Sequence, residues 1–159
     1  MINCTFENDG KASLRHVVVN LILLNKENEI LLVKRAAHLL NGGMWSLVGG
    51  FLDRDEDIKE ACIREVKEET GYESEVDELL RIADNPDRPK EDRQNVAFVF
   101  IATVKEKTGD MDDENTEAKW FDFDNLPTKD SFAFDHFENI QLYLSYKKEK
   151  FKIPIMGKI

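Results

Sequence analysis

Cysteine is scarce in this 159-residue chain. Cys4 lies near the start and Cys62 inside a helical pattern, which excludes both a disulfide framework and a cysteine-based metal site. The expected compartment is therefore a reducing one, the cytoplasm. Long hydrophobic runs are also missing. The most apolar stretch, Val17 to Leu24, is interrupted by Asn20 and is far shorter than the roughly 20 residues a spanning helix needs. The opening MINCTFENDGK has neither the basic start nor the apolar run of a signal peptide. A basic surplus is absent as well. Lys plus Arg number 22 against 32 Asp plus Glu, for a net charge of −10, so no surface-wide field exists to release counterions from a duplex. Neither a membrane nor a nucleic-acid duplex is an expected partner. No repeat or low-complexity tract interrupts the chain, and 42% hydrophobic with 34% charged residues is ordinary globular composition. Residues 1–159 read as one domain.

His16 to Leu24 is rich in β-branched and aliphatic residues, Asn25 to Asn28 is a polar turn, and Ile30 to Arg35 resumes the apolar pattern, which predicts a hairpin. Trp45 to Val48 reads as a short strand between Asn41-Gly42-Gly43 and Gly49-Gly50. An acidic helix then runs to Thr70. Asp57 with Glu60 forms a capping-box-like start and Gly71 a normal stop. Leu79 to Ala83, Val96 to Val104 and Lys119 to Phe123 read as strands, and Asn85 to Arg93 as a charged loop. Phe137, Ile140, Tyr143 and Leu144 recur at helical spacing within Asp135 to Tyr146. Strands in mixed order with two separated helices predict an α+β fold or an α/β/α sandwich.

The charge is concentrated: Phe51 to Leu80 holds twelve acidic and four basic residues. On a wheel of about 100° per residue, Ile58, Ala61, Cys62 and Val66 define an apolar arc. Glu65 and Glu69 fall inside it and Glu68 at its edge. Three like charges on a face that should meet a sheet repel and resist desolvation. A divalent cation held by oxygen ligands, Mg²⁺ or Mn²⁺, relieves both costs. The competing reading is a solvated face paired with Arg64 and Lys67. Gly49-Gly50 directly before the helix favours a site, because glycine lets backbone approach a ligand closely.

Gly50, five residues, Glu56, seven residues, then Arg64-Glu65-Val66-Lys67-Glu68-Glu69-Thr70-Gly71 resembles the Nudix box, G-x5-E-x7-R-E-U-x-E-E-x-G-U, at every fixed position. The last hydrophobic position is Tyr72 where an aliphatic residue is usual, and Val48 stands where many members have proline. The flanking hairpin, Trp45, the Glu117-x-x-Trp120-Phe121 stretch and the final helix are also similar to Nudix domains. The resemblance implies a Nudix fold, a mixed β-sheet between helices, and metal-dependent hydrolysis of a nucleoside diphosphate linked to another moiety. It implies metal ligation by Glu65, Glu68, Glu69 and the Gly50 carbonyl, with Arg64 holding the glutamates and Glu56 supporting them. Glu65, Glu69 and an acid outside the box such as Glu117 are the general-base candidates.

Asn85-Pro86-Asp87-Arg88-Pro89 with Arg93, and Phe132-Ala133-Phe134-Asp135-His136, are similar to segments of the ADP-ribose pyrophosphatase branch, although Arg93-Gln94-Asn95 replaces the Arg-Gly-His frequent there. Arg88 and Arg93 are candidate phosphate contacts. Trp45, Phe132 and Phe134 are candidate stacking residues, against a default of core packing. His136 is expected to hydrogen-bond locally at its helix start. The substrate expected is a small nucleotide, ADP-ribose cleaved to AMP and ribose 5-phosphate. Two other readings compete: an oxidised nucleoside triphosphate hydrolase and a non-catalytic ADP-ribose sensor. A homodimer is left open.

Overall fold

The computed structural model describes residues 2–91 and 93–157. Its centre is β3 (Val17–Leu24), in which every residue from Val18 onward is buried, the mark of a strand covered on both faces. β3 runs parallel to β7 (Val96–Lys107), from Val17 opposite Val96 to Leu24 opposite Thr103. β4 (Ile30–Arg35) follows as the hairpin partner but pairs with β3 only at Leu24 and Ile30. The two strands then splay apart. The gap is filled by residues 48–52, whose backbone ladders onto β3: Leu21 N–H donates to Val48 O and Val19 N–H to Gly50 O, each at 2.9 Å. This separation is what brings a glycine loop into the middle of the sheet.

The remaining strands of this sheet are β5 (Trp45–Ser46), β6 (Tyr72–Ala83), β8 (Asn115–Phe121) and β9 (Ile155–Met156). The order is β5-β4-β3-β7-β6-β9, with β8 also paired to β4. One core lies between the sheet and α1 (Ile58–Thr70), where Ala61, Cys62 and Val66 meet Val19, Leu21 and Phe100. The other lies beneath α2 (His136–Lys148), where Ile140, Tyr143 and Tyr146 meet Ile22, Leu80 and Val99. The result is the expected α/β/α sandwich around a mixed sheet. Among the described residues, no helix is long and apolar enough to cross a membrane.

The helix start is as the spacing predicts: Asp57 accepts from the Lys59 and Glu60 N–H groups while Glu60 accepts from Asp57 N–H. Several boundaries differ. β6 begins at Tyr72 and not at Leu79, because its acids alternate onto an exposed face of a strand bent by three register shifts. β7 continues to Lys107 opposite that extension. β8 opens at Asn115 and closes at Phe121, leaving Phe123 in a 3₁₀ turn. The β5 strand proper ends at Ser46, with Val48 a bridge to Leu21. An N-terminal hairpin of β1 (Ile2–Thr5) and β2 (Lys11–Leu14) has too few apolar residues to stand out in the sequence, and β9 is only two residues long.

Gly71 ends α1 in the left-handed region, at φ 74°, with its N–H on Lys67 O and its own carbonyl accepting from Thr108 and Gly109. A methyl group there would collide with the Gly109 carbonyl. Gly71→Ala should therefore lower unfolding free energy by roughly 2 kcal/mol or more, measured by urea denaturation; a loss below about 0.5 kcal/mol would contradict the tight junction.

Candidate active site

Residues 49–53, α1, the end of β4, the segment before β8 and the 84–95 connection meet at a cleft of about 430 Å³. Arg64 organises its floor. Nε–H and Nη2–H donate to Glu56 at 2.9 and 2.7 Å, Nη1–H donates to Glu65 at 2.8 Å and Glu68 at 3.0 Å, and Nη2–H also reaches Phe51 O at 2.9 Å. All five guanidinium protons are engaged, which binds the glycine loop to the helix. The hydrogen bonds to Glu56, then to Glu65 and Glu68, push the Arg64 pKa further up, and Glu56 is held below its ordinary range by Arg64.

Glu65 and Glu69 sit where the helix enters the core. Glu69 is only 3% exposed and accepts from Gly49 N–H at 3.0 Å. Burial pushes its carboxyl up to about 8, against the Gly49 N–H and the Asn115 amide. Glu65 is pushed up to about 7 by burial, opposed by Arg64 and reinforced by Glu68 and Glu114. Its carboxylate occupies the space a Cβ on Gly50 would fill, so only glycine allows loop and helix to close this far. Cys62 beside them is pushed up to about 12 by burial and the neighbouring carboxylates, and it serves as a small apolar residue.

Among the described residues, no group of three or more His, Cys, Asp or Glu side chains converges closely enough to hold a metal as placed. Glu65 and Glu68 face Arg64, and Glu69 faces Gly49. The donor set nevertheless consists of carboxylate oxygens, and Glu65, Glu68, Asp112 and Glu114 all line the cleft beside Gly50, whose carbonyl accepts from Val19 N–H with one lone pair. Hard oxygen donors carrying excess negative charge fit a divalent cation.

Arginines supply the opposite charge. Arg35, Arg88 and Arg93 line the same cleft, and burial lowers the Arg35 pKa. Phe134, at φ 52° in the left-handed region, lies with its ring centroid 5.5 Å from Arg35 and 5.2 Å from Arg88. Asp135 accepts from Arg88 Nε–H at 2.7 Å and Arg81 Nη1–H at 3.0 Å. Burial alone would raise Asp135, but Arg88 and Arg81 keep it below the usual carboxylate range. With its carboxylate so engaged, Asp135 caps α2 without a side-chain hydrogen bond to the helix.

The cleft thus gathers Gly50, Arg64, Glu65, Glu68, Arg88, Arg93 and Phe134, with Glu69 buried behind Gly49. Three candidates lie elsewhere. Glu117 is exposed on β8 opposite Lys34, and the acids outside the box that line the cleft are Asp112 and Glu114. Trp45, half-buried, packs edge-on against Phe121 at 5.0 Å, with Lys34 over its ring, at the border of the core beneath α2. Phe132 is core, 1% exposed. The His136 backbone N–H bonds locally, to Ala133 O at 3.2 Å, but its side chain does not: Nδ1 accepts from Leu47 N–H at 3.0 Å, and burial followed by Arg88 lowers its pKa to about 3, leaving it neutral. Sequence reasoning missed Asp112, Glu114 and Arg35. The Asp110 to Glu114 acidic run just before Glu117 was the available signal for the first two.

The family model described as NUDIX domain matches residues 14–143. A protein of Methanocaldococcus jannaschii named ADP-ribose pyrophosphatase is 38% identical over 79% of this chain and 71% of its own length. A human protein named 8-oxo-dGDP phosphatase NUDT18 is 30% identical over 83% of this chain, which spans 40% of that relative. A crystal structure of a bifunctional NMN adenylyltransferase/ADP ribose pyrophosphatase from Francisella tularensis, complexed with AMP and a Mn ion, is similar at 26% identity and a TM-score of 0.61. The match covers 84% of this chain and 43% of that one.

The raised carboxyls have a consequence for metal-free protein. A carboxyl whose pKa is higher folded than unfolded leaves the folded state binding more protons, so stability falls as pH rises from about 4.5 to about 8 and then levels. Thermal unfolding in chelator should show that decline, and Glu69→Gln should flatten most of it. An unchanged slope in Glu69→Gln would contradict the account.

Proposed function

The chain belongs to the NUDIX family, and we propose that this hydrolase acts on ADP-ribose, yielding AMP and ribose 5-phosphate. The observation that carries the reading is the cleft's double lining: acids from α1 and the segment before β8, arginines from β4 and the 84–95 connection. A cation alone would serve any diphosphate, so discrimination must come from groups beyond the box. Arg88, Arg93 and Phe134, which line the cleft, are those groups, and the similarity to an ADP-ribose pyrophosphatase over most of the chain supports the substrate reading.

Glu65, Glu68, Glu69 and the Gly50 carbonyl would hold the divalent cation, Mg²⁺ or Mn²⁺. When bound, such an ion neutralises the diphosphate and acidifies a water. Arg64 positions the glutamates by occupying their remaining lone pairs. Arg88 and Arg93 bind phosphate oxygens as they take up negative charge, and they hold the diphosphate in line for attack. A carboxylate oxygen of Glu65, Glu69 or Glu114 takes the proton from the attacking water, whose oxygen bonds to phosphorus as the bridging P–O bond breaks. Glu114 replaces Glu117 in this set because it lines the cleft. A second reading, hydrolysis of oxidised nucleotides, is favoured by the likeness to 8-oxo-dGDP phosphatase NUDT18.

A hydrolysis panel with product analysis tests the two. ADP-ribose should give AMP and ribose 5-phosphate with a kcat/KM above those for 8-oxo-dGTP and 8-oxo-dGDP; the reverse order would overturn the substrate. Arg88→Ala and Arg93→Ala should each lower kcat/KM for ADP-ribose by about tenfold or more, the equivalent of ~1.5–3 kcal/mol per charge-assisted contact. Glu114→Gln should reduce turnover far more than Glu117→Gln, and equal effects would return Glu117 to the site.

A further inference from the structure

Arg15 lies outside the cleft, in the short link between β2 and β3, yet it grips both ends of the 84–95 connection. Its Nε–H donates to Gln94 O, and Nη2–H donates to Asp84 O at 2.8 Å and Asn95 O at 3.2 Å. The β6–β7 ladder ends at Ala83 opposite Ala97, so Arg15 takes over closure where backbone pairing stops. Three carbonyls in different directions suit a planar fork and not a single ammonium. Gln94 also needs holding, because it is a non-glycine residue at φ 54°, a conformation that persists only where its surroundings fix it. The residue immediately before it is Arg93, whose guanidinium lies 5.7 Å from the Phe51 ring centroid in the cleft. Arg88 is anchored separately, by Asp135, and Lys90 Nζ donates to Phe132 O at 2.7 Å.

We infer that Arg15 is a positioning residue for substrate binding: by clamping the neck of the connection it fixes the Gln94 turn and so aims Arg93 at the diphosphate. The inference rests on the proposed role of Arg93, and it carries an asymmetry. Removing Arg15 loosens the backbone that carries Arg93, while the backbone at Arg88 stays tied through Asp135. A purely structural Arg15 would affect melting temperature without that selectivity.

The test is steady-state kinetics at saturating Mg²⁺, well below the melting temperature, on Arg15→Ala, Arg15→Lys, Arg88→Ala, Arg93→Ala and the doubles of Arg15→Ala with each arginine variant. Arg15→Ala should raise KM for ADP-ribose about five- to tenfold with kcat within about twofold of wild type, and Arg15→Lys should recover only part of the loss. Added to Arg93→Ala, Arg15→Ala should raise KM by less than about twofold more; added to Arg88→Ala it should act in full. An unchanged KM with only a lower melting temperature would overturn the inference, as would effects that multiply with Arg93→Ala. If Arg93→Ala alone leaves KM unaltered, the proposed role of Arg93 fails and the positioning role with it. Should wild type prefer another nucleotide, the substrate reading fails, and the same cycle is read on that nucleotide.

Discussion

One guanidinium holds this site together. Arg64 spends all five of its protons on Glu56, Glu65, Glu68 and the Phe51 carbonyl, and those partners come from both sides of the loop-to-helix turn. Without it, three glutamates packed within two turns of a helix would repel, and Phe51 and Glu56 would lose the bonds that tie them to α1. Such fork-shaped, charge-assisted bonding fixes geometry as well as charge. The site also stays net negative around Arg64, and the remaining excess is what a cation relieves.

The sheet makes the placement possible. Because β3 and β4 pair at one residue and then separate, residues 48–52 lie against β3 as if part of the sheet. The Glu65 carboxylate then rests on the bare Cα of Gly50. The α2 side of the sheet solves a different problem, since Arg81 and Arg88 are buried there and share Asp135 as counter-charge. Burying two guanidinium groups is costly unless their counter-charges are close, and Asp135, with Glu91 4.0 Å from Arg88, fixes where Arg88 meets the cleft. The α1 side therefore arranges the box acids around Arg64, and the α2 side holds Arg81 and Arg88.

The box was legible because its signal is local: Asp57, Glu60 and Gly71 mark the helix ends, and Glu65 with Glu69 breaks the apolar arc within a few residues. The hairpin and both helices were equally plain, being set by periodicity. What escaped depends on pairing across long distances. The sequence pattern predicts a strand only from Leu79, whereas β6 begins at Tyr72 with Glu75, Asp77 and Glu78 exposed to solvent. Glu117 looked like the completing acid, but the pleat and the β8 register turn it outward and leave Asp112 and Glu114 in the loop at the cleft. Trp45 and His136 were ambiguous for the same reason: the partners that decide their roles, Phe121 and Leu47, are far away in sequence.

The central claim is that the box carboxylates form a divalent cation site. The most direct measurement is a titration of the protein into Mn²⁺, following the electron paramagnetic resonance signal of the free ion, for wild type and for Glu65→Gln combined with Glu68→Gln. Wild type should bind saturably, and the double variant should bind at least about tenfold more weakly with an unchanged circular dichroism spectrum. Equal Mn²⁺ affinity in the two proteins would contradict the account.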